Sequence, residues 1–423
     1  MTENNSKAVA PMAQKRILVV TQHYWPENFR INDVVEGFVA DGIAVDVLCG
    51  LPNYPKGEWF DGYRYTGPRR QEHGGVNVYR AGEIPRKGNS GPMIFLNYVS
   101  WPVCALFHLW RVKGPYDAVL CYNTSPVLMS FPAIVYGKFH HVPVVNYVLD
   151  IWPENLYSVL PVQNKFLQRI ATAVSDWHYK RAERLIAMSP SLKQRLLERT
   201  GKRPEDVAVI PQYCEDFYAV PQPDEALKAR YGDRFNLVFT GNFSPAQSLD
   251  TVIRAAVKAR SMGAEHLRLL MVGDGMSRDA LEALTDELDA RDTVEFYGSV
   301  PPTDVPKFTT LADALVASLS DSPDLGMTVP AKVASYMAAA KPLLASMDGE
   351  GHAAALACGQ LASPAGDVDA LAENIVTLYR LSAEERSALG RQAFDYYAAH
   401  YGRTQLLEQL ESFILTGNEV PGI

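Results

Sequence analysis

The chain has 423 residues with 40 Lys and Arg against 48 Asp and Glu, and its net charge of −8 excludes an overall positive field for nucleic acid. Its length exceeds what one hydrophobic core usually supports, so two domains are expected. The five cysteines contain no CxxC pair, which argues against a zinc site or a disulfide scaffold and favours a reducing, cytoplasmic setting.

The chain begins with polar residues 1–14, which lack an apolar signal region and are expected to form a disordered extension. Apolar runs typical of buried strands follow, separated by helical segments such as residues 34–41. Alternating strands and helices predict parallel, right-handed βαβ units, in which ligands bind outside the carboxyl ends of the strands. The predicted strands in this part of the chain are residues 15–21, 44–49, 116–122 and 143–149.

One apolar run, residues 93–110, is the candidate for membrane contact. Asn97, Pro102 and His108 interrupt it, so a transmembrane span is not expected. Its aromatic residues suit an interfacial helix that makes weak contact with the cytosolic face of the inner membrane, and a helix buried against the first sheet is the alternative. The cations that flank the run are Arg86, Lys87, Arg111 and Lys113.

A second alternation of strands and helices starts at residue 235, after prolines and charges between residues 211 and 233 have interrupted the pattern. We therefore predict an α/β fold in which two Rossmann-like, doubly wound parallel sheets face each other across a cleft. The predicted strands of the second sheet are residues 235–241, 267–275, 294–298, 314–319 and 342–345. The predicted segments are an N-terminal acceptor-side domain, 15–215, a C-terminal nucleotide-sugar-binding domain, 216–395, and a helix and tail, 396–423, that packs back toward the first domain.

Residues 324–345 have the pattern of a loop, a helix start and a buried strand. Pro330 suits the first helical turn, where a missing N–H costs nothing. The free N–H groups and the positive dipole end of a helix start favour a phosphate, and Lys332 adds a charge to the same turn. An ordinary helix cap before a strand is the alternative interpretation.

Two carboxylates, Asp150 and Glu154, flank Trp152 directly after a predicted strand. Burying such groups unpaired is costly, so one of them is a candidate general base or a group that orients a hydroxyl. A salt-bridged loop or a helix cap is the alternative.

Four further candidates follow the first strand, where an arginine suits phosphate and two asparagines suit sugar hydroxyls. These residues are Glu27, Asn28, Arg30 and Asn32, and an ion pair between Glu27 and Arg30 is the alternative for them.

Five segments occur together in an order that resembles the GT-B glycosyltransferases. They are similar to the retaining family-four group that acts in bacterial O-antigen and exopolysaccharide synthesis, in a branch like WbuB, and the resemblance covers residues 16–403. The segments are residues 24–33, 52–57, 150–154, 241–250 and 328–332.

The resemblance implies transfer of a hexosyl or aminodeoxyhexosyl group from a nucleotide sugar to a lipid-linked or saccharide acceptor, with retention. It places Asp150 and Glu154 in a catalytic role and Trp152 on the acceptor side. No DxD motif presents itself as a ligand pair, so neither a metal nor another cofactor is expected. The donor-binding residues that the resemblance implies are Gly241, Asn242, Gln247, Gly273, Gly298, Val300, Thr328, Val329, Pro330, Lys332 and Ser335.

The chain departs from that family at its charged donor contacts. Many relatives carry a glutamate pair where this chain has Met327 and Ser335, and an arginine and a lysine where it has Asn242 and Gln247. Lys332 is then the leading candidate for the positive charge. The matching stretch after the predicted strand 116–122 also lacks the histidine of many relatives. For Gly241, Gly273 and Gly298 a simple turn is the alternative to ligand contact.

Two other functions stay open at this point. An epimerase acting on nucleotide sugars, or a non-catalytic member that binds them, would use the same architecture, and fold alone does not separate these classes. A dehydrogenase is not expected, because no GxGxxG follows the first strand.

Overall fold

The computed structural model describes residues 14–54, 56–89, 91–154, 164–322 and 324–418. The expected N-terminal extension lies outside these ranges except for Gln14. Within the described ranges, no helix combines the length and the apolar composition needed to cross a bilayer.

The first sheet combines seven strands with one antiparallel edge strand, β3. Its strands are β1 (Arg16–Val20), β2 (Ala44–Cys49), β3 (Arg70–His73), β4 (Val76–Arg80), β5 (Ala118–Asn123), β6 (Val144–Val148), β7 (Arg184–Ala187) and β8 (Val207–Val209). Their order is β3-β4-β2-β1-β5-β6-β7-β8. Because β1 pairs in parallel with both β2 and β5, the order of the strands reverses beside it. That reversal is the place where α/β sheets bind ligands.

The second sheet is parallel throughout its paired strands. Its strands are β9 (Phe235–Asn242), β10 (Leu267–Asp274), β11 (Val294–Gly298), β12 (Ala314–Ser318), β13 (Leu343–Ser346) and β14 (Leu361–Ser363). Their order is β11-β10-β9-β12-β13-β14, so the reversal lies between β9 and β12. The predicted doubly wound α/β architecture is confirmed for both sheets.

The helices lie between these strands and after the last of them. They are α1 (Ile31–Ala40), α2 (Gly91–Leu106), α3 (Ser130–His140), α4 (Lys165–Arg181), α5 (Pro190–Thr200), α6 (Glu225–Tyr231), α7 (Leu249–Ser261), α8 (Arg278–Glu287), α9 (Val305–Leu311), α10 (Ala331–Ala338), α11 (Gly349–Ala357), α12 (Val368–Arg380), α13 (Ala383–His400) and α14 (Arg403–Thr416).

Alternate side chains of β9 enter two apolar cores on opposite faces of the second sheet, as the period of a strand requires. Leu237 and Phe239 enter the core that α7 and α12 cover, whereas Val238 enters the core that contains Val333 and Met337 of α10. All five side chains are fully buried. Each such side chain stabilises the fold by about 1.5–3 kcal/mol.

The run at residues 93–110 forms α2 and the turn after it. Tyr98 and Trp101 are buried on one face of α2. Phe95 on the other face, and Phe107 and Trp110 beyond the helix, are exposed. The helix therefore contributes to the core while leaving an apolar surface of its own.

The chain divides into two compact units at Ile186 and Ala187, within β7, whereas the strands of the first sheet continue to β8. The start of α5 bonds within the second unit. Ser189 Oγ donates to the carbonyl of Met327, and the N–H of Ser191 donates to Glu350 Oε1 at 2.8 Å.

At the other end of the chain, Glu411–Asn418 belong to the first unit. Arg184 Nη1 donates to the carbonyls of Phe413 and Ile414, at 2.7 and 3.0 Å. The predicted C-terminal segment started at residue 396, but α13 continues to His400 and packs on α10 in the second unit.

Candidate functional site

In the second unit, β9 ends in the exposed pair Gly241 and Asn242 at the carboxyl edge of the sheet. Gly241 has φ +141°, and a Cβ built there would lie 3.5 Å from Lys332 Nζ. A Cβ at Gly273, the residue paired with Gly241 on β10, would lie 1.8 Å from the Gly241 carbonyl oxygen. Gly273 is therefore required by the close approach of the two strands, and Gly241 leaves room beside an ammonium group.

Lys332 lies in the first turn of α10, and its ammonium points back to the end of β9. Its Nζ lies 3.9 Å from the centre of the Phe239 ring and donates a hydrogen bond to Gln247 Oε1. No carboxylate in the described part of the chain pairs with it. Burial lowers the pKa of Lys332 to about 7. A cation that faces a neutral amide and an aromatic ring is suited to an incoming anion.

Gln247 belongs to a turn that the end of β12 holds in place. Ser318 Oγ donates to the carbonyl of Gln247 at 2.5 Å, and the N–H of Ser320 donates to the carbonyl of Ala246 at 2.9 Å. The turn is followed by Ser248 in a left-handed conformation at φ +45°. The amide of Gln247 is thus presented from backbone that two neighbouring segments fix.

Tyr336, which the sequence analysis did not single out, ties α10 to β9. Its hydroxyl accepts from the N–H of Thr240 at 2.8 Å and donates to the carbonyl of Thr240 at 3.2 Å. The side chain is 1% exposed. Because Tyr336 lies four residues after Lys332, both occupy the same face of α10, and this spacing was the signal available in the sequence.

The prediction that Pro330 lies in the first helical turn was wrong by one residue. Pro330 has an extended ψ of 138° and precedes the helix, which begins at Ala331. Thr328 and Val329 are partly buried, and Val329 packs against the apolar core. Ser335 is nearly buried, and its hydroxyl donates to the carbonyl of Ala331 at 3.2 Å. The Ser335 hydroxyl thus bonds to its own helix.

The remaining predicted donor residues lie at the same edge of the sheet. Asn242 is exposed at the end of β9. Gly298 ends β11 at φ +102°, with open space where a side chain would be. Val300 follows it and packs against the apolar core.

In the first unit, Asp150 and Glu154 follow β6 at its carboxyl end, and both side chains are partly buried. Two hydrogen bonds hold Trp152, which lies between them. Its backbone N–H donates to the Tyr179 hydroxyl at 2.9 Å, and its indole Nε1 donates to Ser125 Oγ at 3.1 Å. The segment is therefore anchored both to the residues after β5 and to α4.

Glu27 is 2% exposed, and its carboxylate is engaged in loop structure. Oε1 accepts from the N–H groups of Asn53 and Tyr54, both at 2.7 Å. Oε2 lies 2.8 Å from His23 Nδ1. These bonds join the segment after β1 to the segment after β2. They engage the Glu27 carboxylate in place of Arg30, which was the ion-pair partner in the alternative interpretation of the sequence.

Asn32 is also structural. Its Oδ1 accepts from the N–H of Trp25 at 2.9 Å, and its Nδ2 donates to the carbonyl of Glu27 at 2.8 Å. Asn28 is exposed beside it. Arg30 is partly buried at the start of α1. Its charge acts on the hydroxyl of Tyr147: burial raises the pKa of Tyr147 well above its ordinary value, and the positive charge of Arg30 opposes that rise.

Glu83 is a buried carboxyl group that the sequence analysis missed. Its Oε2 accepts from Gln22 Nε2 at 2.5 Å and from Asn97 Nδ2 at 2.9 Å, while its Oε1 has no hydrogen-bond partner among the described residues. Burial, together with the charge of Glu27, raises the pKa of Glu83 to about 8. The only feature of the sequence that pointed to this buried carboxyl group was the position of Glu83 soon after an apolar strand.

Glu83→Gln is expected to remove a pH dependence of stability. Between its ordinary pKa of 4.5 and its folded value of about 8, the unfolded chain loses the proton and the folded protein keeps it. The free energy of unfolding of the wild type should therefore fall as pH rises through this window, by up to about 1.4 kcal/mol per pH unit. Urea unfolding across the window measures this, with exposed Glu36→Gln as the control. Parallel stability curves for wild type and E83Q would contradict it.

No group of three or more His, Cys, Asp or Glu side chains that would hold a metal ion occurs within the described ranges. The five cysteines, all of which lie in those ranges, form no disulfide.

Two parallel-sheet α/β units with ligand edges of this kind define the GT-B fold. A solved structure with the same architecture is that of HepE from Anabaena in complex with UDP-glucose. It superposes with a TM-score of 0.65 at 15% identity, over 94% of this chain and 99% of HepE.

The family assignment comes from two adjoining family models. Residues 28–212 match the "Glycosyl transferase 4-like domain" and residues 234–380 match "Glycosyl transferases group 1". These two matches together span most of the chain. The protein therefore belongs to the family-four GT-B glycosyltransferases.

Two curated relatives carry related names. The lipopolysaccharide core biosynthesis glycosyltransferase LpsD of Rhizobium meliloti is 32% identical over 146 residues, which cover 34% of this chain and 40% of LpsD. The probable glycosyltransferase WbjE of Pseudomonas aeruginosa is 25% identical over 234 residues, covering 53% of this chain and 56% of WbjE. The chain thus matches about half of each relative's length.

Proposed function

We propose that the protein transfers a sugar, with retention, from a nucleotide-sugar donor to a lipid-linked or saccharide acceptor in lipopolysaccharide or exopolysaccharide synthesis. Membership of the WbuB-like branch and transfer of a hexosyl or aminodeoxyhexosyl group are parts of this proposal. The observation that carries it is the Lys332 ammonium, which lies beside Gln247 and Gly241 at the ligand edge of the second sheet. The name of LpsD supports the pathway, the name of WbjE supports glycosyl transfer, and the UDP-glucose bound to HepE supports the donor class.

On the donor side, the proposal gives Lys332 the charge that many relatives supply from other positions. The leaving group of the transfer is a nucleoside diphosphate, whose negative charge grows as the sugar departs. A preorganised cation and the N-terminal N–H groups of α10 stabilise such charge without reorganisation. Asn242 and Gln247 then contribute neutral hydrogen bonds.

On the acceptor side, Asp150 and Glu154 are proposed to orient or deprotonate the acceptor hydroxyl, with Arg30 and Asn28 as further contacts. Glu27, Asn32 and Trp152 support this edge through the loop contacts described above. A lipid-linked acceptor would be met at the cytosolic face of the membrane, so peripheral attachment there is also proposed.

The proposed function is tested with the purified protein and a panel of nucleotide sugars. A ligand that binds only the folded state raises the melting temperature, and this identifies the donor. Turnover is then followed with and without polyprenyl-diphosphate saccharides as acceptors. Nucleoside diphosphate release that needs the acceptor, with an unchanged anomeric configuration in the product, is the expected result. Conversion of the nucleotide sugar without acceptor would identify an epimerase, and binding without any turnover would identify a non-catalytic member.

Transfer is expected to need no metal ion, since Lys332 and a helix start supply the positive charge that a metal would otherwise bring. Turnover of the enzyme should therefore persist in excess EDTA. Loss of activity that Mg²⁺ or Mn²⁺ specifically restores would contradict this, and addition of Ca²⁺ serves as the control for non-specific ionic effects.

A further inference from the structure

The first unit contains an open cavity of about 540 Å³ whose lining is strongly basic. It lies between the start of β1, the β3–β4 hairpin and the segment after α2. Its charged lining residues, with one tryptophan beside them, are Arg16, Arg69, Arg70, Arg111, Lys113 and Trp110.

Most of these cations lack a carboxylate partner. Arg16 pairs with Asp46 at 2.5 Å, but no ion pair neutralises Arg69, Arg70, Arg111 or Lys113 among the residues that the structure describes. Arg70 instead donates to the neutral amide of Asn77 at 2.9 Å. Four uncompensated cations around one cavity repel each other, and an anion that enters the cavity relieves that repulsion.

Arg69 has a donor to spare inside this cluster. Its Nη2 donates to the carbonyl of Tyr65 at 2.6 Å, whereas its Nη1 is buried with no hydrogen-bond partner in the described part of the chain. Burial and the nearby charge of Arg111 lower the pKa of Arg69. A buried guanidinium N–H without an acceptor is costly, and a phosphate oxygen would satisfy it.

The segment after α2 exposes apolar side chains beside the basic lining. Trp110, which lines the cavity, is 74% exposed, and Phe107, which precedes it in the same segment, is 73% exposed. The Arg111 guanidinium lies 5.0 Å from the Trp110 ring centre, so charge and aromatic surface are adjacent. Tryptophan beside basic residues is the combination found where proteins meet the headgroup region of a bilayer.

We propose that this cavity binds the phosphate of an anionic phospholipid headgroup while Phe107 and Trp110 enter the membrane interface. The proposal adds an attachment site to the proposed function and is independent of which sugar the enzyme transfers. A soluble phosphate ester offers the same phosphate chemistry, but it would leave the exposed side chains of Phe107 and Trp110 without a partner, and these two side chains therefore favour the lipid.

Co-sedimentation with vesicles containing phosphatidylglycerol tests the proposal, with pure phosphatidylcholine vesicles for comparison. Wild-type protein should sediment with the anionic vesicles and progressively less as salt is added. R111Q/K113Q removes two exposed cations. Each cation is expected to raise the partition coefficient onto anionic vesicles severalfold, so the double variant should lower it about tenfold or more. Lys258→Gln with Arg291→Gln removes the same charge from the second unit, at residues paired with Asp369 and Asp286, and should have little effect.

Two further variants distinguish vesicle binding by Arg69 in the cavity and by Trp110 from a general effect of the protein's charge. R69Q should also reduce anionic vesicle binding, and W110A should reduce it severalfold, whereas M276A removes an 84% exposed side chain of the second unit and should not. The melting temperature and its shift with nucleoside diphosphate are measured on every variant. Unchanged values in R111Q/K113Q show that folding and the donor site are intact, so failure of this proposal is distinct from failure of the proposed transfer.

The opposite results would overturn the proposal. They are equal sedimentation of R111Q/K113Q and the Lys258/Arg291 control, or equal binding of the wild type to phosphatidylcholine. Titration with glycerol phosphate distinguishes the source of the phosphate. Saturable binding of glycerol phosphate that R111Q/K113Q abolishes, with vesicle binding unchanged in that variant, would assign the cavity to a soluble ester instead.

Discussion

Lys332→Ala is expected to weaken binding of the nucleoside diphosphate by roughly 1.5–3 kcal/mol, the scale of a hydrogen bond to a charged group. That loss corresponds to a dissociation constant about 10- to 150-fold higher. The reason is geometric: the Lys332 ammonium faces Gln247 and the Phe239 ring and has no carboxylate partner among the described residues, so a bound diphosphate would be its counter-ion. Isothermal titration calorimetry measures the effect. Lys258→Ala, at an exposed ion pair of the same unit, is the matched control.

Binding should also depend on pH in a way that identifies Lys332. Burial lowers the pKa of Lys332 to about 7 in the free protein, and a bound diphosphate favours the charged form and raises that pKa again. Affinity should therefore fall as pH rises from about 7 to 9, by at most tenfold per pH unit, with proton uptake on binding. The K332A variant should lack this part of the dependence. An unchanged dissociation constant in K332A would exclude Lys332 from the site.

Asp150→Asn and Glu154→Gln are each expected to lower kcat while leaving donor binding nearly intact. A general base contributes about 10²–10⁴-fold, and we expect the lower end for each residue, because the departing phosphate of a retaining transferase is able to take the proton. Both carboxylates follow β6 at the ligand edge of the first sheet. Single-turnover kinetics and donor titration on the same samples measure the two quantities.

A purely structural carboxylate would behave differently. The melting temperature would fall, and activity would follow the folded fraction. Asp61→Asn, at an exposed position of the same unit, controls for loss of a surface charge. Full kcat in both single variants would remove Asp150 and Glu154 from the mechanism and leave Arg30 and the backbone to orient the acceptor.

The strands that the sequence predicted are those with short apolar runs, such as β1, β2, β5 and β6, which are buried along their length. The edge strand β3 was missed because its residues, Arg70–His73, are polar and largely exposed. The short strands β7 and β8 give too few residues for a periodic signal. Apolar periodicity thus identifies strands with a sustained apolar run better than very short or polar strands.

The site residues also divide into those whose position the sequence indicated and those whose role only the structure revealed. The order of strands and loops along the chain already indicated which segments would lie at the ligand edges. It did not indicate that Glu27 and Asn32 are taken up by loop structure, because the partners of Glu27 at Asn53 and Tyr54 are 26 and 27 residues away. Nor did it reveal Glu83, whose pKa depends on burial by segments that are distant in sequence.

The sequence by itself determined the α/β class, the two sheets and the segments that end their strands, since hydrophobic period and turn residues act over a few neighbouring positions. Tertiary structure alone decided where the units divide and which polar groups are engaged. It brought the Lys332 ammonium to Gln247, 85 residues away, through the bond of Tyr336 to Thr240. Charge compensation and burial depend on distances in space, and only the packing of the elements sets those distances.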